Sequence, residues 1–461
     1  MAPQEQRQNI EQFREKVAER TGQVEKPQEL LEQSLAQLSK VGGFDLMEAA
    51  VDGIQNLNPE RKARKRIFLS ESSKKEERNQ LKKTLQLWAA ILSSSDNVME
   101  MVESCEQNAQ VAEETLTQNL AKAIETTKEL EKSYRTVALF FKNAGSNKIK
   151  NLAFMNADPE QVKDLDDTRF IDTVQEELVK NFDRLDLRDN YSLLVVPGYL
   201  GSNKVVEKWA KIAHENKVML VTDFEHLDTP DDVMEMFEAA NLTGGDIYKS
   251  NVLMTCNYLV GRDKYKELGE EEELFVPPSA ALAGNIYQTL MSQVAAGKKH
   301  GSLSEVDGVC FGLKKSEIAN LEKMGLIPMV NEYGKVMAFS AKTLFSGDNL
   351  GLQTYSVVRV FDYVTKVLMD FLNRRAFENF NSKTRKEILS QIIRFLDDIT
   401  GPGKLIEKFS IKRFEQDPKQ KDRIYLDIHM TPYFPAKNFM IKMDGQKGDD
   451  GNEWDTEYEQ N

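Results

Sequence analysis

Between Tyr191 and Cys256 three short apolar runs, Tyr191–Val196, Val218–Thr222 and Val252–Cys256, alternate with segments of helix length at 203–216 and 230–240. Runs of branched apolar residues without polar alternation suit strands covered on both faces. Parallel neighbours in such a sheet need a helical crossover between them. The pattern therefore argues for an α/β layer with a mainly parallel sheet. The second crossover opens on Thr229-Pro230-Asp231-Asp232, which offers a capping hydroxyl, a proline at the first helical position and an acid at the third.

The same reading extends outward from this centre. Ile149–Phe154 is predicted as a strand, 168–182 as a helix, Leu274–Pro278 as an extended segment, 279–296 as a helix and Val306–Leu313 as a strand. Residues 326–339 resemble a hairpin turning at Asn331–Gly334. Helices at about 352–375 and 382–399 are stopped by Gly401-Pro402-Gly403. Two final strands, Arg423–Met430 and Phe434–Met443, flank Thr431-Pro432 and are expected to pair.

Ahead of this domain the first 145 residues hold three prolines and abundant Glu, Gln, Leu, Ala and Lys, which favours helix. Helices are predicted at 5–20 and 28–41, the second with an apolar stripe of Leu30, Leu31, Leu35, Leu38 and Val41. Residues 58–78 read as a polar, loop-like basic linker carrying Arg61-Lys-Ala-Arg-Lys-Arg66. A long helical region follows from 79 to 145, interrupted near Ser93–Asn97, in which Val98, Val102, Cys105, Ala109, Ala112 and Leu116 follow a coiled-coil-like spacing. The expected organisation is thus 1–57 N-terminal helices, 58–78 linker, 79–145 helical region, 146–350 α/β domain, 351–443 C-terminal helices and strand pair, and 444–461 acidic disordered tail.

Charge and cysteine usage narrow the function. Acids outnumber bases by 74 to 61, giving a net charge of −13, so no long-range attraction to nucleic acid or an anionic membrane is expected. No apolar run approaches the ~20 residues of a membrane span, and the start lacks a secretory apolar core. Cys105, Cys256 and Cys310 lack metal or disulfide spacing. A cytoplasmic protein is expected.

Catalytic motifs are scarce. The four histidines fall in no metal-binding spacing. Gly198-Tyr-Leu-Gly-Ser-Asn-Lys204 sits where a strand-to-helix turn holds anions, yet it matches neither dinucleotide nor P-loop patterns. Asp223-Phe-Glu-His226 follows a strand end, where open α/β sheets place ligands. These two segments carry the alternative of an α/β nucleotide- or metal-dependent enzyme. The leading expectation is no enzyme, no cofactor and no metal.

The terminal strands offer a different use, since an unpaired edge is met by β-augmentation from another chain, which builds rings or helical tubes when it runs head to tail. Leu313-Lys-Lys-Ser-Glu-Ile-Ala-Asn-Leu-Glu-Lys-Met-Gly-Leu-Ile-Pro-Met-Val330, followed by Val336-Met-Ala-Phe-Ser-Ala-Lys-Thr-Leu344, resembles the core of the large contractile-sheath subunit of bacterial type VI secretion, the TssC family. Phe275-Val-Pro-Pro-Ser-Ala-Ala-Leu-Ala-Gly284 is similar to the entry of an Ala/Gly helix shared with phage tail sheaths. Lys132–Phe141 with Ile149–Met155 resembles the family's helix and following strand, and Arg423–Met443 its closing strand pair. Tyr134 stands where the family usually has Trp, and Ser340-Ala-Lys-Thr343 replaces Gly-Ala-Gln-Ser. Segment 60–130 carries none of these motifs. Together these departures point to a divergent branch, with the sheath of a related phage-tail-like injection system as an alternative.

The resemblance implies an α/β sheath domain with a mixed sheet, preceded by a helical region and closed by a strand pair for exchange between subunits. It implies polymerisation with a small, TssB-like sheath subunit and with other copies of the chain as a six-fold helical polymer. This sheath surrounds an Hcp-like inner tube on a membrane-anchored baseplate and contracts to propel the tube. It also implies recycling by a ClpV-like AAA+ unfoldase. Carried onto this sequence, Ile424, Tyr425, Leu426, Ile428, Phe439 and Ile441 belong to exchanged strands. Leu30, Leu31, Leu35 and Leu38 would form the unfoldase-recognition face, and Lys383, Arg385, Lys386 and Arg394 are tube-facing candidates.

Overall fold

The computed structural model describes residues 59–145, 149–437, 439–446 and 453–459. The predicted helices at 5–20 and 28–41, with Leu30, Leu31, Leu35 and Leu38, lie outside these residues. The chain divides into two compact units, Met1–Leu120 and Ala121–Asn461.

In the first unit helices α1 (Pro59–Ser70) and α2 (Lys75–Leu92) precede the start of α3 (Val98–Ala144). The described part of the segment expected to be a loop-like linker, residues 59–78, is therefore helical apart from Glu71, with a single 3-10 turn at Ser72–Lys74. Its polarity misled, because Glu, Arg, Lys and Ala are good helix formers whatever their charge, and Pro59 sits at the helix start. Arg78 donates to the carbonyls of Phe68 at 2.6 Å and Glu71 at 2.7 Å, satisfying groups that the end of α1 leaves without partners. The expected interruption at Ser93–Asn97 is present, and Asn97 caps α3 by accepting the Met99 amide at 3.0 Å.

The second unit begins with the remainder of α3 and continues through α4 (Pro159–Lys163), α5 (Arg169–Phe182), β1 (Leu193–Val196), α6 (Asn203–Glu215), β2 (Met219–Asp223), α7 (Pro230–Ala240) and β3 (Val252–Cys256). Next come β4 (Leu259–Arg262), β5 (Leu274–Val276), α8 (Ser279–Gln288), α9 (Gly297–His300), β6 (Gly308–Val309), α10 (Lys315–Lys323), β7 (Leu326–Glu332) and β8 (Lys335–Ala338). The chain then runs through α11 (Leu350–Gln353), α12 (Tyr355–Arg374), α13 (Ser382–Asp398), β9 (Ile406–Gln416), β10 (Ile424–Pro432), β11 (Met440–Gln446) and β12 (Glu453–Glu459). The central sheet has the order β1-β2-β3-β7-β8, with β1 to β7 parallel and β8 returning antiparallel through the expected hairpin.

Strand periodicity sorts this sheet's side chains between two cores. Leu220, Val252, Met254 and Cys256 face α5, α6, α7 and α10, where Trp209, Phe237 and Leu321 are buried. Met219, Val221 and Leu253 face α8, the end of α3 and the start of α12. On that second face α8 approaches α3 backbone to backbone. A Cβ on Gly284 would lie 2.4 Å from the Phe140 carbonyl oxygen, which gives the Ala/Gly composition of the Phe275–Gly284 segment its physical reason.

Several expectations require correction. Ile149–Phe154 forms no strand; Leu152 and Phe154 are exposed and the segment joins no β-ladder among the described residues. The 279–296 helix ends at Gln288, and Val306–Leu313 contracts to two paired residues. The strand pair is rearranged most. β10 pairs antiparallel with β9, and β11 pairs with β12 in the segment expected to be a disordered acidic tail. Pro432 ends β10 and Pro435 follows it before β11; Pro fixes the backbone in extended form and removes ladder donors, which disfavours a tight reversal there.

Candidate assembly surface

The β9–β10 ribbon is held on one face, and the start of β9 is bridged by Thr400 at Ile406. Leu426, Ile428 and Met430 of β10 join Phe409, Ile411 and Phe414 of β9 on a third core, formed with Ile388, Ile392 and Leu396 of α13 and Val360 and Val364 of α12. A two-stranded ribbon is marginal alone, so this helix layer is what fixes it. Tyr425 lies off that face, donating to Asp417 at 2.6 Å with the Arg413 guanidinium 4.1 Å over its ring. Ile424 is exposed. Of the expected exchange residues, Leu426 and Ile428 are thus anchored within their own chain.

The β11–β12 hairpin is different. Ile441 and Met443, at alternate positions of β11, are 47% and 61% exposed, and Phe439, just before the strand, is 58% exposed. Alternation places Ile441 and Met443 on one face. Each strand pairs only with the other among the described residues. Lys437, just before this hairpin, pairs with Glu322 of α10. The sequence reading missed β12, although Glu453-Trp-Asp-Thr-Glu-Tyr-Glu459 alternates bulky and acidic residues in the period of a strand.

The helical unit carries further uncovered apolar surface. Leu81, Leu85, Trp88 and Leu92 recur at helical spacing on α2 and all are exposed, as are Val98, Val102 and Leu116 on α3. The structure therefore finds the coiled-coil-like stripe without a covering helix among the described residues. On α13, Lys383, Lys386 and Arg394 lie opposite the buried face of Ile388, Ile392 and Leu396 and are exposed. Arg385 points elsewhere, its Nε donating to the Phe414 carbonyl at 3.0 Å.

The groups that suggested enzyme chemistry are taken up by the fold. Asp223 is fully buried at the end of β2. Its Oδ2 accepts the Gly198 amide at 2.7 Å and the Ser279 hydroxyl at 2.5 Å, while Oδ1 accepts the Ser279 amide at 2.7 Å and the Thr255 hydroxyl. Burial pushes this carboxyl up, and the four donors pull it back. The amide of Gly198, which the anion-loop reading requires, is already bound to this carboxylate. The Gly198 carbonyl accepts from the Thr222 hydroxyl, and Ser202 caps α6. Asp223 therefore ties the β1–α6 turn, β3 and the start of α8 into one node.

His226 leaves that node and stacks on Tyr258, with ring centroids 4.8 Å apart. Its ligand atoms lie within 4.8 Å of those of Asp228 and Cys310, the one such group with metal-ligand chemistry among the described residues. The Cys310 thiol is pushed up to about 11, burial being the main cause and nearby acids adding to it. The thiol donates to the Leu227 carbonyl at 3.8 Å.

Comparison with known proteins identifies the family. Residues 122–346 match the model of the type VI secretion system TssC/VipB central domain. Residues 31–120 match the TssC/VipB-like N-terminal region, and 354–460 the TssC/VipB-like C-terminal domain. The chain belongs to the TssC/VipB family. The family is one of structural sheath proteins, and its N-terminal model includes most of the 60–130 segment that carries no recognisable motif. No curated protein gives a significant match.

Among solved structures the chain is similar to a chain of the anti-feeding prophage baseplate, with 16% identity over 66% of this chain and 77% of that chain and a TM-score of 0.46. It is similar also to the anti-feeding prophage helical sheath in the contracted state, with 17% identity, 65% and 78% coverage, and a TM-score of 0.45. A sheath tail protein from Desulfitobacterium hafniense shares 12% identity over 63% of this chain and 59% of that chain, with a TM-score of 0.40. Among the described residues no helix is long and apolar enough to cross a membrane.

Proposed function

We propose that this chain is the large subunit of a type VI contractile sheath, polymerising with a small TssB-like subunit and with further copies of itself around an Hcp-like tube. The observation that carries this reading is the run of three TssC/VipB matches in chain order. The β11–β12 hairpin supports it, because exposed Phe439, Ile441 and Met443 on a two-stranded hairpin are the equipment of β-augmentation. Here β11 with Ile441, together with Phe439 just before it, makes the contact between subunits, while β10, with Leu426 and Ile428, stays on its own helices and Ile424 and Tyr425 form its outer surface.

The apolar stripes of α2 and α3 take the small subunit. Lys383, Lys386 and Arg394 face the inner tube, Arg385 serving its own strand instead. The helix at 28–41, through Leu30, Leu31, Leu35 and Leu38, is read by a ClpV-like unfoldase after contraction. Assembly proceeds in the cytoplasm on a membrane-anchored baseplate, in stacked six-fold rings. Contraction draws on the free-energy difference between two lattices, without a nucleotide at the sheath.

Coexpression with a candidate TssB-like small subunit, followed by electron microscopy, tests this. Striated hollow tubes are expected with the pair. Ile441→Asp with Met443→Asp should abolish them while leaving the monomer's unfolding midpoint unchanged. Tubes of normal length from that variant refute the role of β11, and dispersed particles from the wild-type pair refute the sheath reading.

A further inference from the structure

At the N-terminal edge of the parallel strands, opposite the Asp223 node, a cavity of about 480 Å³ opens between the start of β1, the start of β2 and α12. Small-ligand sites have volumes of this order. Its lining includes six cations, Lys150, Arg188, Lys217, Arg359, Lys366 and Arg374, against the carboxylates of Asp362 and Asp370. Both carboxylates are occupied. Asp362 accepts from Asn251 at 2.8 Å and lies 3.9 Å from Lys217, and Asp370 accepts the Leu187 amide at 2.9 Å and pairs with Arg374. Arg188 pairs with Asp186.

Two cations on the same face of α12 make no ion pair within 4 Å among the described residues, although the Asp362 carboxylate between them along the helix attracts Lys366. Lys366 donates to neutral oxygens, Asn190 Oδ1 at 2.8 Å and the Tyr191 carbonyl at 2.7 Å. Arg359 is only 8% exposed; its Nη2 reaches the Ile286 carbonyl at 3.3 Å, and its Nη1 is buried without any acceptor among the described residues. Burial holds Lys366 down to about 8 and Arg359 down to about 10, as expected of charges taken from water without full compensation. A buried guanidinium with an unmet donor is unfavourable unless something supplies the missing charge.

We propose that this cavity binds a small oxyanion carrying two anionic groups, of the diphosphate or dicarboxylate class, with Arg359 and Lys366 as its principal contacts. The two residues are two helical turns apart, about 10 Å along α12, which suits a ligand charged at both ends better than a single phosphate. Guanidinium donors pair with phosphate and carboxylate oxygens alike, so both members of the class are expected to compete for the same site. The site is independent of sheath assembly.

Isothermal titration of the full chain with pyrophosphate and with succinate, at constant ionic strength, tests the proposal. Saturable 1:1 binding of at least one is expected, weakened about tenfold or more by Arg359→Met and by Lys366→Met. Which probe binds tells phosphate from carboxylate as the ligand. Without ligand, Arg359→Met should melt no lower than wild type, because it removes an uncompensated buried charge. The proposal is overturned by no saturable heat from either probe up to about 10 mM, or by unchanged affinity in Arg359→Met. If that variant fails to fold, Lys366→Met decides, and unchanged affinity there overturns it equally.

Discussion

Asp223→Asn is the sharpest test of how the domain's central node works. Asparagine keeps the shape of aspartate but turns one acceptor oxygen into a donor. Each carboxylate oxygen of Asp223 meets one backbone amide, Gly198 at Oδ2 and Ser279 at Oδ1, together with one hydroxyl. A hydroxyl can rotate to accept, but a backbone amide cannot. Either orientation of the new amide therefore sets donor against donor at one end of the node. Leaving one buried amide unsatisfied costs roughly 1–3 kcal/mol, and weakening the remaining charge-assisted bonds adds about 1 kcal/mol. The expected loss is about 2–4 kcal/mol, a large share of the ~5–15 kcal/mol that holds a typical domain together. Urea unfolding followed by tryptophan fluorescence measures it, since Trp209 is buried in the core that packs on β2. Asp223→Ala, which leaves all four donors without their acceptor, should be at least as damaging. A shift in Asp223→Asn below about 0.5 kcal/mol refutes the reasoning. It would mean that Asp223 is held as a neutral acid, or that the node adds little to stability.

Gly284→Ala should destabilise the second unit by roughly 2 kcal/mol or more in the same unfolding assay, because the added Cβ would sit 2.4 Å from the Phe140 oxygen on a backbone that cannot yield cheaply. Glu270 is held down to about 2 from an ordinary 4.5, chiefly by its bonds to Arg262, which Glu131 of α3 also contacts at 3.0 Å. A carboxyl lowered by folding stabilises above its unfolded value near 4.5 and loses that contribution as the pH falls towards 2. Glu270→Gln should therefore narrow the stability gap to wild type on acidification from pH ~6 to ~3, as read by melting temperature; a constant gap refutes the linkage. Leu85→Asp with Trp88→Asp on α2 should abolish copurification of the small subunit without lowering the melting temperature, since both side chains are already exposed. Retained copurification removes that stripe from the interface.

Local pattern was enough where the chain's own neighbours supply the partner surface. The apolar runs at β1, β2 and β3, their crossover helices and the hairpin at Asn331–Gly334 were all legible, because strand burial on two faces and helix capping are written in consecutive residues. So was the break at Ser93–Asn97. The family signature was readable for the same reason, in short segments whose order along the chain survives substitution. Polarity was a poor guide where propensity decided, as in α1, whose charged residues are also helix formers.

Tertiary structure alone decided which strands meet and which polar groups face one another. Ile149–Phe154 and β10 look equally strand-like in sequence, yet only β10 meets a complementary edge, in β9. The Asp223 node joins residues 198, 223, 255 and 279, and the cavity beside α12 gathers Lys150, Lys217 and Arg359 from distant elements. Strand formation is a property of a pair and electrostatic compensation a property of a neighbourhood, whereas helix propensity and burial pattern belong to a single stretch of chain.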